Sequence, residues 1–328
     1  LIGIDIAETY IHFELFDLRL SHQATIEHAL HPEENEPAQI VNHLVSGVDE
    51  LLVTSGRSPA KVLGVGVSVP GLVERTGGVS IFAPNWAWRH IPLGSLLREQ
   101  IALPIFLDNP LKASAVAELW FGAGRGVDNL VTINLGTGVG AGIIANGALY
   151  RGTTNSAGEW GHTVVALDGR QCRCGGCGCL ETYIGAPGIL QTLHELAPDS
   201  ALLHPGDQTA SIAALAEAAQ QNDPIATQVI QFTVQYLGAG IANIIHLFNP
   251  EVVVISSWVG MRLGPALLPA LRHVVARYAL SQSLAATKIQ LCQLPHNPIS
   301  LGAATFALEG FLATAGTKPQ FWPVSPTP

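Results

Sequence analysis

Apolar residues recur along this chain with two different periods, and the changes between them divide it into elements. Residues 1–6 form a short apolar run, as a buried strand requires. Tyr10–Phe16 alternates, with Ile11, Phe13 and Leu15 on one side. A polar, His-rich stretch over 20–36 predicts a strand and a loop. Its His22, His28 and His31 lack a helical metal spacing and read as solvated. Pro37 then opens a helix, where its missing N–H costs nothing. Ile40, Val41, Leu44, Val45, Val48, Leu51 and Leu52 form the apolar face of that helix, and Gly56 is placed to cap it. Residues 62–69 are almost uniformly apolar, the mark of a parallel strand covered on both faces, and Pro70-Gly71 ends it. Leu130–Leu135 is another such strand, and Asn146-Gly147 predicts a tight hairpin turn. Helices are expected over 184–196, 211–220 and Pro224–Phe248, the last with Gly238 and Gly240 allowing close packing. A buried strand follows over 252–255 and a final apolar helix over 301–312. After Gly316, four prolines predict an extended or disordered tail.

Composition narrows the classes. With 328 residues the chain is expected to hold about two domains. Hydrophobic residues make up 48% and charged residues 12%, which allows a large core and argues against disorder. The net charge is −9 and there is no basic run, so the general field of this chain will not hold nucleic acid. The uncharged stretch 130–150 is long enough to raise the question of a membrane span. Its five glycines, with Thr and Asn, predict a buried strand, turn and hairpin instead, and no membrane association is expected. Leu1 stands where a natural start would be Met, so the sequence is expected to be a fragment or trimmed.

The densest chemistry lies between residues 158 and 181. Four of the five cysteines, Cys172, Cys174, Cys177 and Cys179, fall there, and His162 precedes them. Three thiolates and one imidazole make a closed tetrahedral zinc site of the structural type. Cys172 and Cys174 bracket one residue, and the glycines let the backbone fold back to bring in Cys179. The alternatives are a chance cluster of buried thiols or a disulfide, for which Cys172 and Cys174 are too close. Cysteine use of this kind points to metal in a reducing cytoplasm.

Glu159-Trp160-Gly161-His162, followed by Cys172-Arg173-Cys174-Gly175-Gly176-Cys177-Gly178-Cys179-Leu180-Glu181, resembles the signature of the ROK family of bacterial sugar kinases and sugar-responsive repressors. Cys177 lies at a variable position of that pattern. The resemblance implies an α/β, actin-like (ribonuclease H-like) sugar kinase fold of two α/β domains with a cleft between them. The first domain is expected over 1–118, completed by a C-terminal helix at 299–315. The second is expected over 119–298, with a zinc loop at 162–181 and a tail at 316–328. The strand, turn, strand order near residue 1 and again near 130 fits the internal duplication of that fold. The resemblance further implies that the zinc loop is held by His162, Cys172, Cys174 and Cys179. It implies a sugar pocket lined by Asn85, Asn109, Glu159, His162 and Glu181. Pro84-Asn85 alone would read as a simple turn.

Departures from the family pattern fall on the phosphate side. Asp5-Ile6-Ala7-Glu8-Thr9 resembles a first phosphate loop, but Ala7 and Glu8 occupy positions where glycine lets the backbone approach phosphate; an ordinary hairpin turn is the other reading. Gly136-Thr137-Gly138 resembles the second loop, although such runs often mark only a tight turn. In Asp108-Asn109-Pro110-Leu111-Lys112, the position of the family's catalytic base is Pro110 and that of a following Asn is Lys112. Loss of a general base costs about 10²–10⁴ in rate. Asp108 is offset by two residues, about 7 Å along a strand. Where the family has a Gly-Gly pair that admits adenine, this chain has Ser256-Ser257, then Trp258. A pocket kept without its phosphoryl-transfer parts predicts a kinase-inactive, sugar-binding effector region of a transcriptional repressor. Zinc is its expected cofactor and ATP is not expected. Such a protein would be a cytoplasmic homodimer or tetramer, reading DNA only through an N-terminal helix-turn-helix domain absent from this chain. The alternative is an ATP-dependent glucokinase or N-acetylhexosamine kinase.

Overall fold

The computed structural model of the chain describes residues 1–31 and 33–313, and for Asn85 the backbone only. The expected tail, and positions 314 and 315 of the expected last helix, lie outside the described residues. The opening apolar run forms β1 (Ile2–Ile6), buried throughout, which pairs antiparallel with β2 (Tyr10–Phe16). β2 pairs in turn with β3 (His22–Ala29). α1 (Pro37–Thr54) begins at its proline, and the Gln39 side chain accepts from the Glu36 N–H at 3.2 Å. The expected apolar face is buried except for half-buried Val45, and Gly56 follows the helix with φ of +64°. β4 (Val65–Ser68) is the inner part of the 62–69 run.

Next come β5 (Leu72–Glu74), β6 (Val79–Ala83) and β7 (Trp88–Ile91), a small antiparallel sheet that hydrophobic patterning does not announce. Its strands are short, and a register shift interrupts the first pairing. α2 (Leu93–Arg98), β8 (Ile105–Asp108) and α3 (Pro110–Phe121) follow. The main sheet runs β3-β2-β1-β4-β8, with β1, β4 and β8 parallel.

The second sheet starts with β9 (Leu130–Leu135), β10 (Val139–Ala145) and β11 (Ala148–Leu149). Asn146 and Gly147 both take positive φ, +52° and +72°, as the tight hairpin turn requires. Short α4 (Glu181–Ile184) leads into α5 (Ala186–Leu196), α6 (Gln208–Gln220) and α7 (Pro224–Phe248). Asp207 and Asp223 cap α6 and α7 by accepting from the Ala210 and Ala226 N–H groups. β12 (Val252–Ser256), α8 (Ser257–Tyr278), α9 (Ser281–Ala285), β13 (Lys288–Leu291) and α10 (Pro298–Ala313) complete the chain. α8 contains Pro265 and Pro269, which hide its period in the sequence. The glycines of α7 do what the sequence suggests: a Cβ on Gly238 would stand 2.5 Å from Val274, and one on Gly240 2.6 Å from Trp160.

The second sheet runs β11-β10-β9-β12-β13, the same order and the same strand directions as the first. The duplication expected from strand order is thus present in the topology, although the two copies share little sequence. Among the described residues no helix is long and apolar enough to cross a membrane.

Two units divide the chain. One comprises Leu1–Ala117, Arg151–Ala157 and the chain from Leu294; the other comprises Glu118–Tyr150 and Gly158–Gln293. The expected division, 1–118 with 299–315 against 119–298, differs from these units chiefly at Arg151–Ala157, which belongs to the first. In that unit α10 lies against the sheet with almost no space. A Cβ on Gly3 would stand 1.9 Å from the Ser300 carbonyl oxygen, and one on Gly66 1.7 Å from that of Ala303. Gly66→Ala is therefore expected to destabilise the protein by about 3 kcal/mol, since backbone rather than a movable side chain must give way; urea denaturation measures it.

Candidate functional site

β8 delivers Asp108 to the start of α3, and Asn109 begins the helix. Its Oδ1 accepts from the Lys112 N–H at 3.1 Å, and its Nδ2 donates to the Gly71 carbonyl at 3.4 Å. Pro110 is then the first helical residue, where proline is favoured. Asn-Pro is thus an N-cap followed by a first-turn proline, a helix-start signal legible in the sequence. Lys112 is buried, with Nζ 3.4 Å from Asn109 Oδ1 and 3.3 Å from the Ala157 carbonyl oxygen.

Asp108 has no exposed surface. Its Oδ1 accepts from the Asn109 N–H at 2.9 Å and from Asn155 Nδ2 at 3.2 Å. Its Oδ2 pairs with Arg151 Nη1 and lies 3.5 Å from Arg75 Nε. Arg151 also donates to Asn155 Oδ1 at 2.9 Å, and its guanidinium sits over the Phe306 ring. Asn155 Nδ2 donates to the Val73 carbonyl at 2.9 Å, so one side chain ties β5 to β8. Burial and the adjacent Arg151 push Arg75 down to about 10, and burial pushes Glu309, which shares this neighbourhood, upward. Both carboxylate oxygens of Asp108 are engaged. Such a group is a structural anion rather than an acceptor poised before a substrate hydroxyl. No sequence spacing marks Arg75, Arg151 or Asn155.

Asp5 is buried at the end of β1, accepting from Asn297 Nδ2 at 2.9 Å and Tyr10 Oη at 3.4 Å, and burial pushes its carboxyl up to about 6. Ala7, Glu8 and Thr9 turn without any positive φ, so the turn has no need of glycine, and the Ala7 N–H closes it on the Tyr10 carbonyl. Gly136, Thr137 and Gly138 connect β9 to β10. A Cβ on Gly136 would lie 3.0 Å from Ser257 Oγ and 3.3 Å from Trp258 Nε1. Side chains therefore stand against this loop from the Ser256-Ser257-Trp258 turn. Ser257 itself has φ of +71°, a conformation that suits glycine.

In the second unit, Trp160–His162 forms a single 3₁₀ turn, and the indole donates to the Gly240 carbonyl at 3.2 Å. The ligand atoms of His162, Cys172, Cys174 and Cys179 all lie within 4.8 Å of one another. Cys172 Sγ is 3.7 Å from His162 Nδ1, and Cys174 Sγ is 3.8 Å from Cys179 Sγ. A tetrahedral zinc with bonds of about 2.0–2.3 Å separates its ligands by about 3.4–3.8 Å, so the set fits one ion. Gly178 makes the return possible: at φ of +70°, a Cβ there would lie 1.6 Å from the Ala166 carbonyl oxygen. Without metal, burial pushes Cys179 up to about 12, so a bound ion must displace protons. Cys177 points elsewhere, donating to Gln171 Oε1 at 3.3 Å.

His162 Nε2 faces Glu159 Oε2 at 4.0 Å, on the side of the ring away from Cys172. Glu181 is buried: Oε2 accepts from the Val139 N–H at 2.8 Å and Oε1 from Arg173 Nε at 3.1 Å. Arg173 also donates to the Thr137 carbonyl at 3.3 Å, so the cysteine loop is fastened to the Gly136–Gly138 turn. Asn109 belongs to the first unit, and Glu159, His162 and Glu181 to the second. Asn85 has its backbone in the short Pro84–Trp86 turn, and its side chain lies outside the described residues.

A profile described as the ROK family matches residues 1–309. The chain belongs to the ROK family. It is 30% identical over 311 residues to the xylose repressor of Bacillus subtilis, covering 95% of this chain and 77% of that one. It is also 34% identical over 271 residues to the glucokinase of Halalkalibacterium halodurans, covering 81% of this chain and 82% of that one. A crystal structure of a ROK family transcriptional regulator, a homologue of the E. coli MLC protein, superposes with a TM-score of 0.82 at 26% identity, over 96% of this chain and 80% of that one. The fold is the actin-like α/β fold of the ROK sugar kinases and regulators, as the sequence motifs implied.

Asp108→Asn is expected to destabilise the protein by about 3 kcal/mol, because two guanidinium groups lose their buried counter-charge; chemical denaturation reads this directly. Ser257→Gly is expected to stabilise by about 1 kcal/mol, by relieving the left-handed backbone, and a raised melting temperature would register it.

Proposed function

We propose that this chain is the sugar-sensing part of a ROK-type transcriptional repressor and does not phosphorylate its ligand. The observation that carries this reading is the state of the two positions that bear on proton abstraction. Pro110 has no side-chain acceptor, and Asp108 spends both oxygens on Arg151, Arg75, Asn155 and the Asn109 N–H. A sugar kinase needs a carboxylate within hydrogen-bond reach of the attacking hydroxyl. Ser257 and Trp258 against Gly136 support the same reading from the nucleotide side.

Asn85, Asn109, Glu159, His162 and Glu181 are the proposed sugar contacts. Zinc on His162, Cys172, Cys174 and Cys179 would fix the imidazole through Nδ1 and leave Nε2 beside Glu159 to face a hydroxyl. Glu181 would release Arg173 to reach the ligand directly; otherwise it acts through the loop it holds. In this reading DNA is read by a helix-turn-helix segment outside this chain, in a homodimer or tetramer in the cytoplasm.

The ligand follows from what position 110 lacks. A carboxylate there would hold the hydroxymethyl end of a hexose; without it, a sugar lacking that group loses nothing. Lys112 Nζ lies beside two neutral oxygens of the chain, and its positive charge keeps a sugar carrying an anionic group as the other candidate. A pentopyranose fits the lack at position 110, and the xylose repressors among the relatives support it.

A glucokinase relative at 34% identity keeps an ATP-dependent sugar kinase as the second reading. A coupled phosphorylation assay over a sugar panel separates the two. Turnover well below about 1 s⁻¹ is expected with every sugar, and turnover at or above it refutes the sensor. In thermal shift, xylose at about 100 times its dissociation constant should stabilise by about 2.7 kcal/mol. Tight binding of glucose that is lost with 6-deoxyglucose would instead count against a pentose. Removing the zinc by dialysis should weaken sugar binding, and unchanged affinity would remove the metal from the site's organisation.

A further inference from the structure

The first unit holds a second cluster of metal-ligating side chains, remote in sequence from the cysteine loop. Glu14 lies on β2, His22 at the start of β3, and His296 just before α10. One ligand atom from each lies within 4.8 Å of the others. Their order in the chain hides this, since about 280 residues separate Glu14 from His296.

Glu14 is a buried carboxylate whose Oε2 accepts from the Ser300 hydroxyl. Its Oε1 faces two imidazoles: His12 Nε2 at 3.6 Å and His22 Nε2 at 3.9 Å. These separations are too long for hydrogen bonds. They are close to the spacing of about 3.3–3.5 Å between two ligands of one tetrahedral ion. His12 Nδ1 contacts Glu27 Oε2 at 3.0 Å. A carboxylate only accepts, so Nδ1 carries a proton; burial opposes charge on this ring, but Glu14 and Glu27 outweigh it and raise His12 above the ordinary histidine value. His12 thus serves as a charge partner of Glu14, and the donors that share one space are Glu14, His22 and His296.

We propose that Glu14, His22 and His296 form a second metal site, for a borderline divalent transition metal such as Zn²⁺ or Co²⁺. Imidazoles with one carboxylate favour that class over Ca²⁺ or Mg²⁺, which take oxygen ligands. His22 Nε2 now contacts Thr25 Oγ1 at 2.5 Å, and its ring stacks on that of His296 at 4.8 Å. Loading therefore requires side-chain rotation by His22 and by the exposed His296. The bound ion would clip β2 and β3 to the start of α10.

Cobalt distinguishes this site from the cysteine loop, because only thiolate ligands give a sulfur-to-cobalt charge-transfer band. Metal-stripped protein titrated with Co²⁺ is expected to take up two equivalents, one with that band and one with ligand-field absorption alone. His296→Ala alters an exposed residue and so leaves the fold intact. It should abolish the second equivalent and keep the first, and His22→Ala should do the same. Zn²⁺ should raise the melting temperature of the unaltered protein further than that of His296→Ala. Uptake of a single, thiolate-bound equivalent by the unaltered protein overturns the proposal, as does a second equivalent that survives both substitutions.

Discussion

A carboxylate sealed from water at the end of a strand must find its counter-charge inside the protein, and Asp108 finds it in two arginines. The consequences reach well beyond the pair. Arg151 and Asn155 lie on a seven-residue segment that belongs to the first unit although the chain on either side belongs to the second. Asn155 bridges Asp108 to the Val73 carbonyl, and the Arg151 guanidinium covers Phe306 of α10. One buried charge thus joins β5, β8, the start of α3, α10 and the returning segment. Separating such a pair leaves an uncompensated ion in a low-dielectric interior, a penalty of several kcal/mol. The arrangement that orders this corner of the unit is also what occupies both oxygens of the carboxylate.

The second unit solves a different problem, that of holding a glycine-rich loop with little core of its own. Its ligand atoms are close enough for one metal ion, and its outer connections run through Arg173 and Glu181 to the β9–β10 turn. His162 has one ring nitrogen toward Cys172 and the other toward Glu159. An imidazole held by a metal through one nitrogen has its orientation fixed at the other, which is how an ion with no open coordination position can still shape a ligand site.

Legibility in the sequence followed the range of the interactions. α1 and α7 were readable because their starting prolines and apolar faces are local signals. The β5–β7 sheet was not, because three strands of three to five residues carry too little period to separate from loop. α8 was obscured by Pro265 and Pro269. The cysteine site was legible because Cys172, Cys174 and Cys179 are near neighbours in the chain. The partners of Asp108 were not, since Arg75, Arg151 and Asn155 reach it only through the fold. Asn109 carried two meanings at once: a position matching a sugar-contacting residue, and a helix N-cap that a proline and the Lys112 N–H make visible.

That double meaning bears on how, in the proposed reading, a sugar kinase framework is turned into a sensor. Aspartate is well suited to the first turn of a helix, where the positive end of the dipole favours an anion. Proline is equally suited to the first position, for an unrelated reason, the missing N–H. Exchanging one for the other deletes an acceptor while keeping a residue suited to the start of α3, so Asn109 keeps its place as the helix cap. On the nucleotide side, Ser257 and Trp258 close on Gly136 while the backbone at Ser257 retains a glycine-like φ. In the proposed reading, phosphoryl-transfer capacity is lost at scattered points that each leave the scaffold standing. Restoring an acid at position 110 alone would then give a base facing no nucleotide, and clearing the turn alone would seat a nucleotide beside a hydroxyl that nothing deprotonates.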